Sequence, residues 1–279
     1  MSEAREGTRP ELPTDPGALA PMGVEFDLAL EAGLDELGLL GGPAATPLAR
    51  RSYEAHARLL REWNAAINLT AIREPAEVAR RHCCDSLSAV GRLGELAGAA
   101  STLLDLGSGG GYPGLPLAAA LPLSRVALLD SVGKKARFLG AAAAAVATIL
   151  GKEDGATPAI SAVAERAEDL AEEPEQRAAW GIVTARAVGS LAEVIELAMP
   201  LTQEGGVVVA WKREEERGGL RAELREAGSI IRACGGGRPE VVTVAASFLP
   251  GHRLVIVPKE RPTPASYPRP AGVRRRRQR

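Results

Sequence analysis

The chain predicts an α/β fold: a mostly parallel sheet with helices on both faces, closed by an antiparallel hairpin and preceded by N-terminal helices. Three observations carry this. Apolar runs at 102–106, 126–130, 159–163, 181–186 and 205–211 alternate with helical stretches at 114–121, 134–150, 190–199 and 214–228, the pattern of repeated βαβ crossovers. The first run breaks into Gly107-Ser108-Gly109-Gly110-Gly111-Tyr112-Pro113-Gly114, a turn placed at the carboxyl end of a strand, where such sheets bind ligands. The last two runs, 240–248 and 252–258, are joined by a short link containing Pro250-Gly251 and should pair antiparallel.

Ahead of the sheet, residues 1–22 are polar and carry Pro10, Pro13, Pro16 and Pro21, so they read as disordered. Residues 23–100 read as a helical extension. Phe26–Leu40 has helical periodicity and stops at Gly41-Gly42-Pro43. From about Leu48, the spacing of His56, Leu59, Leu60, Trp63 and Ile67 forms one apolar face, with His56 and Trp63 expected to be buried or half-buried. The main domain spans 101–260 and a Pro/Arg-rich tail 261–279.

At 46% apolar residues a sizeable core is available, while aromatics are only 3%. The formal charge is −1, yet six arginines fall in the last 11 residues, leaving a net acidic body. Such a tail suits an anionic partner or is simply solvated. Cys83, Cys84 and Cys234 have no C-x-x-C spacing, and the three histidines are scattered, so reduced thiols and no metal are expected. Neither a signal segment nor a membrane-length apolar run is seen, which makes a cytoplasmic protein the expectation. With no long exposed apolar helix, a monomer is the default.

The glycine turn narrows the ligand. Residues 109, 111 and 114 satisfy G-x-G-x-x-G, a weak match in a chain with 31 glycines. Asp105 precedes the turn and should direct its charge into the place a pyrophosphate would need. Pro113 and Pro116 remove N–H donors from the start of the next helix. S-adenosylmethionine has no phosphate, and its ammonium would suit Asp105. Asp130 ends the second strand 25 residues after Asp105, where a carboxylate holds an adenosine ribose; an N-cap role is the alternative. A parallel sheet closed by a hairpin is also the plan of the class I S-adenosylmethionine-dependent methyltransferases, a Rossmann-like fold. An NAD-linked oxidoreductase is disfavoured by both features.

Trp63-Asn64, Asn68-Leu69-Thr70-Ala71-Ile72, Arg81-His82, Asp85-Ser86 and the loop ending Tyr112-Pro113-Gly114-Leu115-Pro116-Leu117 together resemble the RsmG (GidB) family. So do Leu129-Asp130-Ser131 with Lys134-Lys135, Arg166-Ala167-Glu168, Ala185-Arg186-Ala187, Trp211-Lys212 and His252-Arg253. Those bacterial enzymes methylate guanine at ring nitrogen 7 in small-subunit (16S) ribosomal RNA. The resemblance runs from about residue 48 to the end. It implies a cofactor pocket lined by Gly107, Tyr112, Asp130, Ala167, Glu168 and Arg186, to which the turn adds Asp105, Gly109 and Gly111, and the Leu129-Asp130-Ser131 motif adds Ser131. It also implies an RNA-facing basic rim of Lys134, Lys135, Arg166, Arg186, Lys212 and Arg253. Tyr112 stands where the family carries a smaller apolar or phenyl group. The acidic first 22 residues, the Gly151–Pro158 loop and the arginine tail depart from the family and are expected to lie away from the pocket.

Guanine nitrogen 7 has a free lone pair and no proton to lose, so alignment can supply most of the acceleration. No general base is needed, and the sequence offers no evident His/Asp pair to be one. No residue is therefore assigned as catalytic; Arg186 could orient the substrate or contact phosphate, or pair with Glu193 or another helix carboxylate. His82 and Asp85 could brace the junction of helices and sheet or touch the base. Tyr112 and Trp211 are the candidate base-stacking surfaces, with Trp63 and Trp180 in the core. A class I methyltransferase acting on a small molecule or protein, and a non-catalytic S-adenosylmethionine- or ribosome-binding protein, stay as alternatives.

Overall fold

The computed structural model describes residues 12–96, 101–151, 157–214 and 219–276. Helix α1 (Val24–Glu36) leads into α2 (Pro47–Ile67). Thr46 caps α2 by accepting from the Ala49 N–H at 3.2 Å, Pro47 fits the first turn, and Asn68 ends the helix in left-handed conformation (φ 51°). Asn64, one turn before that end, accepts from the N–H groups of Leu69 and Thr70 at 2.7 and 2.9 Å. The chain then forms α3 (Pro75–Val78), a π-helical turn (Ala79–Cys84), α4 (Asp85–Leu87) and α5 (Val90–Leu96).

The sheet follows as β1 (Ser101–Leu106), β2 (Leu123–Leu129), β3 (Ala159–Val163), β4 (Trp180–Arg186), β5 (Thr202–Arg213), β6 (Glu240–Thr243) and β7 (His252–Pro258). Between the strands lie α6 (Gly114–Ala120), α7 (Gly133–Leu150), α8 (Ala167–Leu170), α9 (Leu191–Ala198) and α10 (Gly219–Ala233), and α11 (Ala271–Arg276) ends the described chain. The strand order is β3-β2-β1-β4-β5-β7-β6, with β1 to β5 parallel and β7 antiparallel to both β5 and β6. This is the class I methyltransferase plan, and its order reverses between β1 and β4, which opens the ligand crevice at their carboxyl ends.

Strand parity divides the core. Leu103, Val126, Leu128, Ile182, Val209 and Trp211 face α1, α2 and α7, while Leu104, Leu129, Val183, Ala185, Val208 and Val255 face α9 and α10. The N-terminal helices thus share one continuous core with the sheet.

Several boundaries differ from the sequence expectation. Residues 12–22 are packed: the Trp63 indole N–H donates to the Pro13 carbonyl at 2.7 Å, Arg61 holds the Ala20 and Pro21 carbonyls, and Met22 is buried. Residues 1–11 lie outside the described residues, as do 152–156 of the loop set apart in the sequence. β6 stops at Thr243, and residues 244–251 form a longer link than expected. The tail is also fastened down. Arg177 donates to the carbonyls of Thr263, Pro264 and Tyr267, and Arg269 binds the buried Glu196 through its backbone and side chain. Arg269 and Arg274 are therefore internal partners rather than free charges; Arg277 and Arg279 lie outside the described residues.

Candidate active site

Two clefts adjoin at the carboxyl ends of the parallel strands. The larger, about 360 Å³, is lined by Leu106 and Gly107 after β1, Leu129 to Val132 after β2, Glu165 to Glu168 after β3 and Ala187–Val188 after β4. The second, about 280 Å³, shares Ala187 and Val188 and is bounded by Asp85, Arg186, Trp211, Lys212 and His252. Ala187, on the shared wall, is held at φ 60°, a conformation costly for a residue with a Cβ and concentrated at functional sites.

Gly107, Asp130, Ser131, Ala167 and Glu168 all line the first cleft, as do Lys135 and Arg166. Asp130 is 7% exposed; its Oδ2 accepts from the Gly109 N–H at 3.1 Å and its Oδ1 from the Val132 N–H at 2.9 Å. Both oxygens keep a lone pair for the cleft. Gly107 is at φ 69°, and a Cβ there would lie 2.8 Å from Val188 Cγ2. This turn can close only on a glycine.

Asp105 does not face the cleft, and the expected contact with an ammonium is corrected. It is fully buried and accepts from Ser108 Oγ at 2.5 Å, the Gly114 N–H at 3.0 Å and Thr184 Oγ1 at 2.8 Å. Parity explains this: Asp105 shares a face with Leu103 and sits opposite Thr184 in register, under α6. Its role is to fold the glycine turn onto that helix. Gly109 and Gly111, at φ 55° and 84°, likewise shape the turn.

Tyr112 is also displaced from the expected pocket. It is 4% exposed and stacks between His56 (4.3 Å, 28°) and His82 (4.7 Å, 16°). His56 Nε2 donates to the Gly110 carbonyl at 2.7 Å. His82 Nδ1 accepts from Arg186 at 3.3 Å, which leaves its Nε2 to donate to Thr70 Oγ1 at 2.8 Å. Trp211 is buried too, its indole N–H donating to the Asp85 carbonyl at 2.9 Å. Neither aromatic offers an open stacking face.

Arg186 shares the parity of Thr184, so it turns toward the N-terminal helices instead of the first cleft. Its partner is Asp85, at 2.8 Å from Oδ2, and not Glu193. Asp85 Oδ1 meets His252 Nδ1 at 3.0 Å, across 167 residues. A His/Asp pair thus exists where the sequence offered no evident one. Among the basic-rim residues, Lys134 and Arg166 are exposed, but the Lys212 ammonium is held by Glu223 Oε1 at 2.6 Å and the Gly189 carbonyl at 2.8 Å. Arg253 lies 3.9 Å from Glu214. Lys212 is not a free phosphate contact. The tail, expected away from the pocket, enters it: Ala271 and Arg274 line the first cleft, and Arg274 pairs with Glu168.

Burial, reinforced by the Arg186 charge, pushes His56 down to about 4 and His82 down to about 3, against an ordinary 6.5. Burial raises Asp105 from 3.8 to about 6, opposed by its hydrogen bonds to Ser108, Thr184 and Gly114. Between pH 6 and 4 the unfolded chain protonates both imidazoles while the folded chain does not, and the folded Asp105 takes up a proton that the unfolded one does not. The unfolded state then holds roughly one extra proton, so stability is expected to fall by about 1.4 kcal/mol per pH unit on acidification. Urea midpoints at pH 6 and pH 4.5 test this, and a midpoint that holds or rises would show that the rings are not buried as described.

A family model described as rRNA small subunit methyltransferase G matches residues 50–229. The chain belongs to this GidB family. A relative named ribosomal RNA small subunit methyltransferase G from Roseiflexus sp. (strain RS-1) is 39% identical over 82% of the chain and 93% of its own length. One of the same name from Deinococcus radiodurans is 38% identical over 92% of the chain and 93% of its own length. Likeness to solved structures is looser: a Thermus thermophilus 16S rRNA N2 G1207 methyltransferase, in complex with AdoMet and guanosine, aligns at TM-score 0.40 and 18% identity over 59% of this chain and 36% of that one. Membership therefore rests on sequence. The family-matched segment contains both strands of the topological switch and Asp85, whereas His252 and Arg274 fall beyond it. No helix among the described residues is long and apolar enough to cross a membrane.

Proposed function

We propose that this protein transfers the methyl group of S-adenosylmethionine to ring nitrogen 7 of a guanine in small-subunit (16S) ribosomal RNA, in the cytoplasm. The observation that carries the reading is the pair of clefts sharing the Ala187–Val188 wall at the topological switch. The first has a volume in the range of small-molecule sites. The donor set there fits an adenosine sulfonium: a carboxylate with free lone pairs at Asp130, glycine backbone at Gly107, and the apolar Leu106 and Leu129. When bound, S-adenosylmethionine supplies an electrophilic sulfonium methyl.

Asp130 would accept the ribose hydroxyls, with Gly107, Ser131, Ala167 and Glu168 around the remainder of the ligand. Asp105, Gly109 and Gly111 act through the shape of the turn. Lys134, Lys135 and Arg166, beside the same opening, are placed to meet RNA phosphates. The acceptor purine would enter the second cleft with nitrogen 7 toward the shared wall. Its nucleophile needs no deprotonation, so the protein's contribution is alignment and exclusion of water. Asp85 and Arg186, paired at 2.8 Å, would bound the acceptor cleft as a neutral pair.

Incubation with labelled S-adenosylmethionine and small-subunit particles from cells lacking this activity, followed by nucleoside analysis, tests the reading. A labelled 7-methylguanosine peak is expected. Label in a different nucleoside overturns the nitrogen-7 assignment, and cofactor binding without label in RNA overturns the ribosomal one.

A further inference from the structure

We propose that a cavity at the foot of the sheet, ringed by Arg225, Arg232, Arg238 and Arg261, is a second RNA-docking surface, taking phosphodiester backbone of the substrate away from the methylated nucleotide. The inference deepens the proposed function and rests on it. The cavity, about 610 Å³, lies between the second half of α10, the turn before β6 and the chain leaving β7. Pro258, the last residue of β7, pairs with Val207 in β5, whereas Arg213 at the other end of β5 pairs with His252 beside the second cleft. The cavity therefore sits at the end of the sheet opposite the two clefts. Leu224 and Ile231 give it an apolar floor.

Helical periodicity gathers the arginines. Leu220, Leu224, Ala227 and Ile231 form the stripe that α10 packs against the sheet. Arg221, Arg225 and Arg232 follow Leu220, Leu224 and Ile231 by one residue each, so they form a row turned about 100° from that stripe. All three are exposed. Because α10 begins after β5 and returns alongside it, the row runs from the cleft end of the sheet down to the cavity. Arg238 and Arg261, also exposed, complete the ring from the strand side.

Charge supplies the other half. Among the described residues, none of the four ring arginines is in an ion pair. Two acids on the same elements are committed elsewhere, Glu223 to Lys212 and Glu240 to Arg92. Glu260, the acid among the lining residues, lies against Gly237. Helix-end electrostatics account for part of the cluster: Arg261 donates to the Arg232 carbonyl at 3.0 Å, and cations are favourable at a helix C-terminus. They do not account for Arg225, in the middle of α10, or Arg238, beyond its end. Like charges gathered without counter-charge repel, and a polyanion removes that cost. The guanidinium fork matches phosphate oxygens bidentately, and Val241, 43% exposed at the cavity, offers an apolar contact for ribose or base. At the cleft rim, by contrast, Lys212 and Arg274 are already held by carboxylates.

The test measures binding of the full chain to naked small-subunit RNA and to assembled particles across a range of salt. Arg225→Gln combined with Arg238→Gln leaves the Arg261 contact to the helix end in place. Each phosphate contact contributes about 0.7–0.9 to the slope of log K against log salt, so the double variant should flatten that slope by about 1.4–1.8 and weaken binding at low salt by at least ~10-fold. Arg225→Lys with Arg238→Lys keeps both charges and should recover most of the slope. Cofactor affinity and single-turnover transfer at saturating RNA should match wild type, because neither residue lines either cleft. A slope that does not flatten overturns the proposal. Binding lost on particles but kept on naked RNA also overturns it, and assigns the surface to a ribosomal protein. Wild-type protein that binds this RNA yet labels no guanine overturns the proposed function instead, while the slope comparison still reads the docking surface.

Discussion

Gly107→Val is expected to leave a folded protein with methyl transfer to small-subunit RNA at least ~100-fold weaker than wild type, on the scale that an ångström of misplacement imposes on an aligned reaction. Two effects act together at this position. The backbone sits at φ 69°, where a β-branched side chain is strained, and a Cβ would lie 2.8 Å from Val188 Cγ2. Val188 belongs to the wall between the two clefts, so the clash is relieved by moving the element that separates them. Backbone strain of this kind costs about 1–3 kcal/mol, less than the stability of an ordinary domain, so loss of activity should outrun loss of fold. Calorimetric cofactor affinity and single-turnover transfer on the same preparation check it. Wild-type transfer in a folded Gly107→Val protein would show that the turn does not set the cleft.

The difference between Gly107 and Asp105 marks how far the sequence was legible. Both flank the same strand-to-turn junction; glycine spacing marked the junction, strand–helix alternation the mostly parallel sheet, and the short Pro250-Gly251 link the closing antiparallel pair. Whether a residue at a strand end faces ligand or core depends on parity against the neighbouring strands, and parity becomes readable only once Asp105 is known to pair in register with Thr184. Arg186 follows the same rule two residues after Thr184, which is why it meets Asp85. Long-range pairs were out of reach for a different reason. Asp85 and His252 are joined across 167 residues, and no local pattern encodes that meeting, although both belong to motifs already singled out. The arginine-rich tail misled because charge composition reports a count and not a partner. Arg269 and Arg274 find Glu196 and Glu168, each on a helix flanking the sheet. The order of residues 12–22 was missed likewise, since their proline content suggested disorder while Trp63 and Arg61 supply the hydrogen bonds that anchor them.

Tyr112→Ala should destabilise the protein by about 3–5 kcal/mol, the usual cost of removing a buried aromatic ring, and so consume much of a typical folding free energy of about 5–15 kcal/mol. The ring is the middle plate of a three-ring stack between His56 and His82. His56 ties α2 to the glycine turn through the Gly110 carbonyl, and His82 ties the π-helical segment to Arg186. Losing the plate loosens both ties at once, so transfer should weaken together with stability. Tyr112→Phe separates the contributions. The hydroxyl is buried against the Cys83 thiol and makes no hydrogen bond of normal geometry, and deleting an unsatisfied buried polar group is close to neutral or stabilising. The phenylalanine variant is therefore expected to keep its urea midpoint, with a change within about 1 kcal/mol, while the alanine variant loses most of it. If phenylalanine proves as costly as alanine, the hydroxyl and not the stack holds these helices to the turn, and the account of how the N-terminal helices brace the cleft would have to be rebuilt around Cys83.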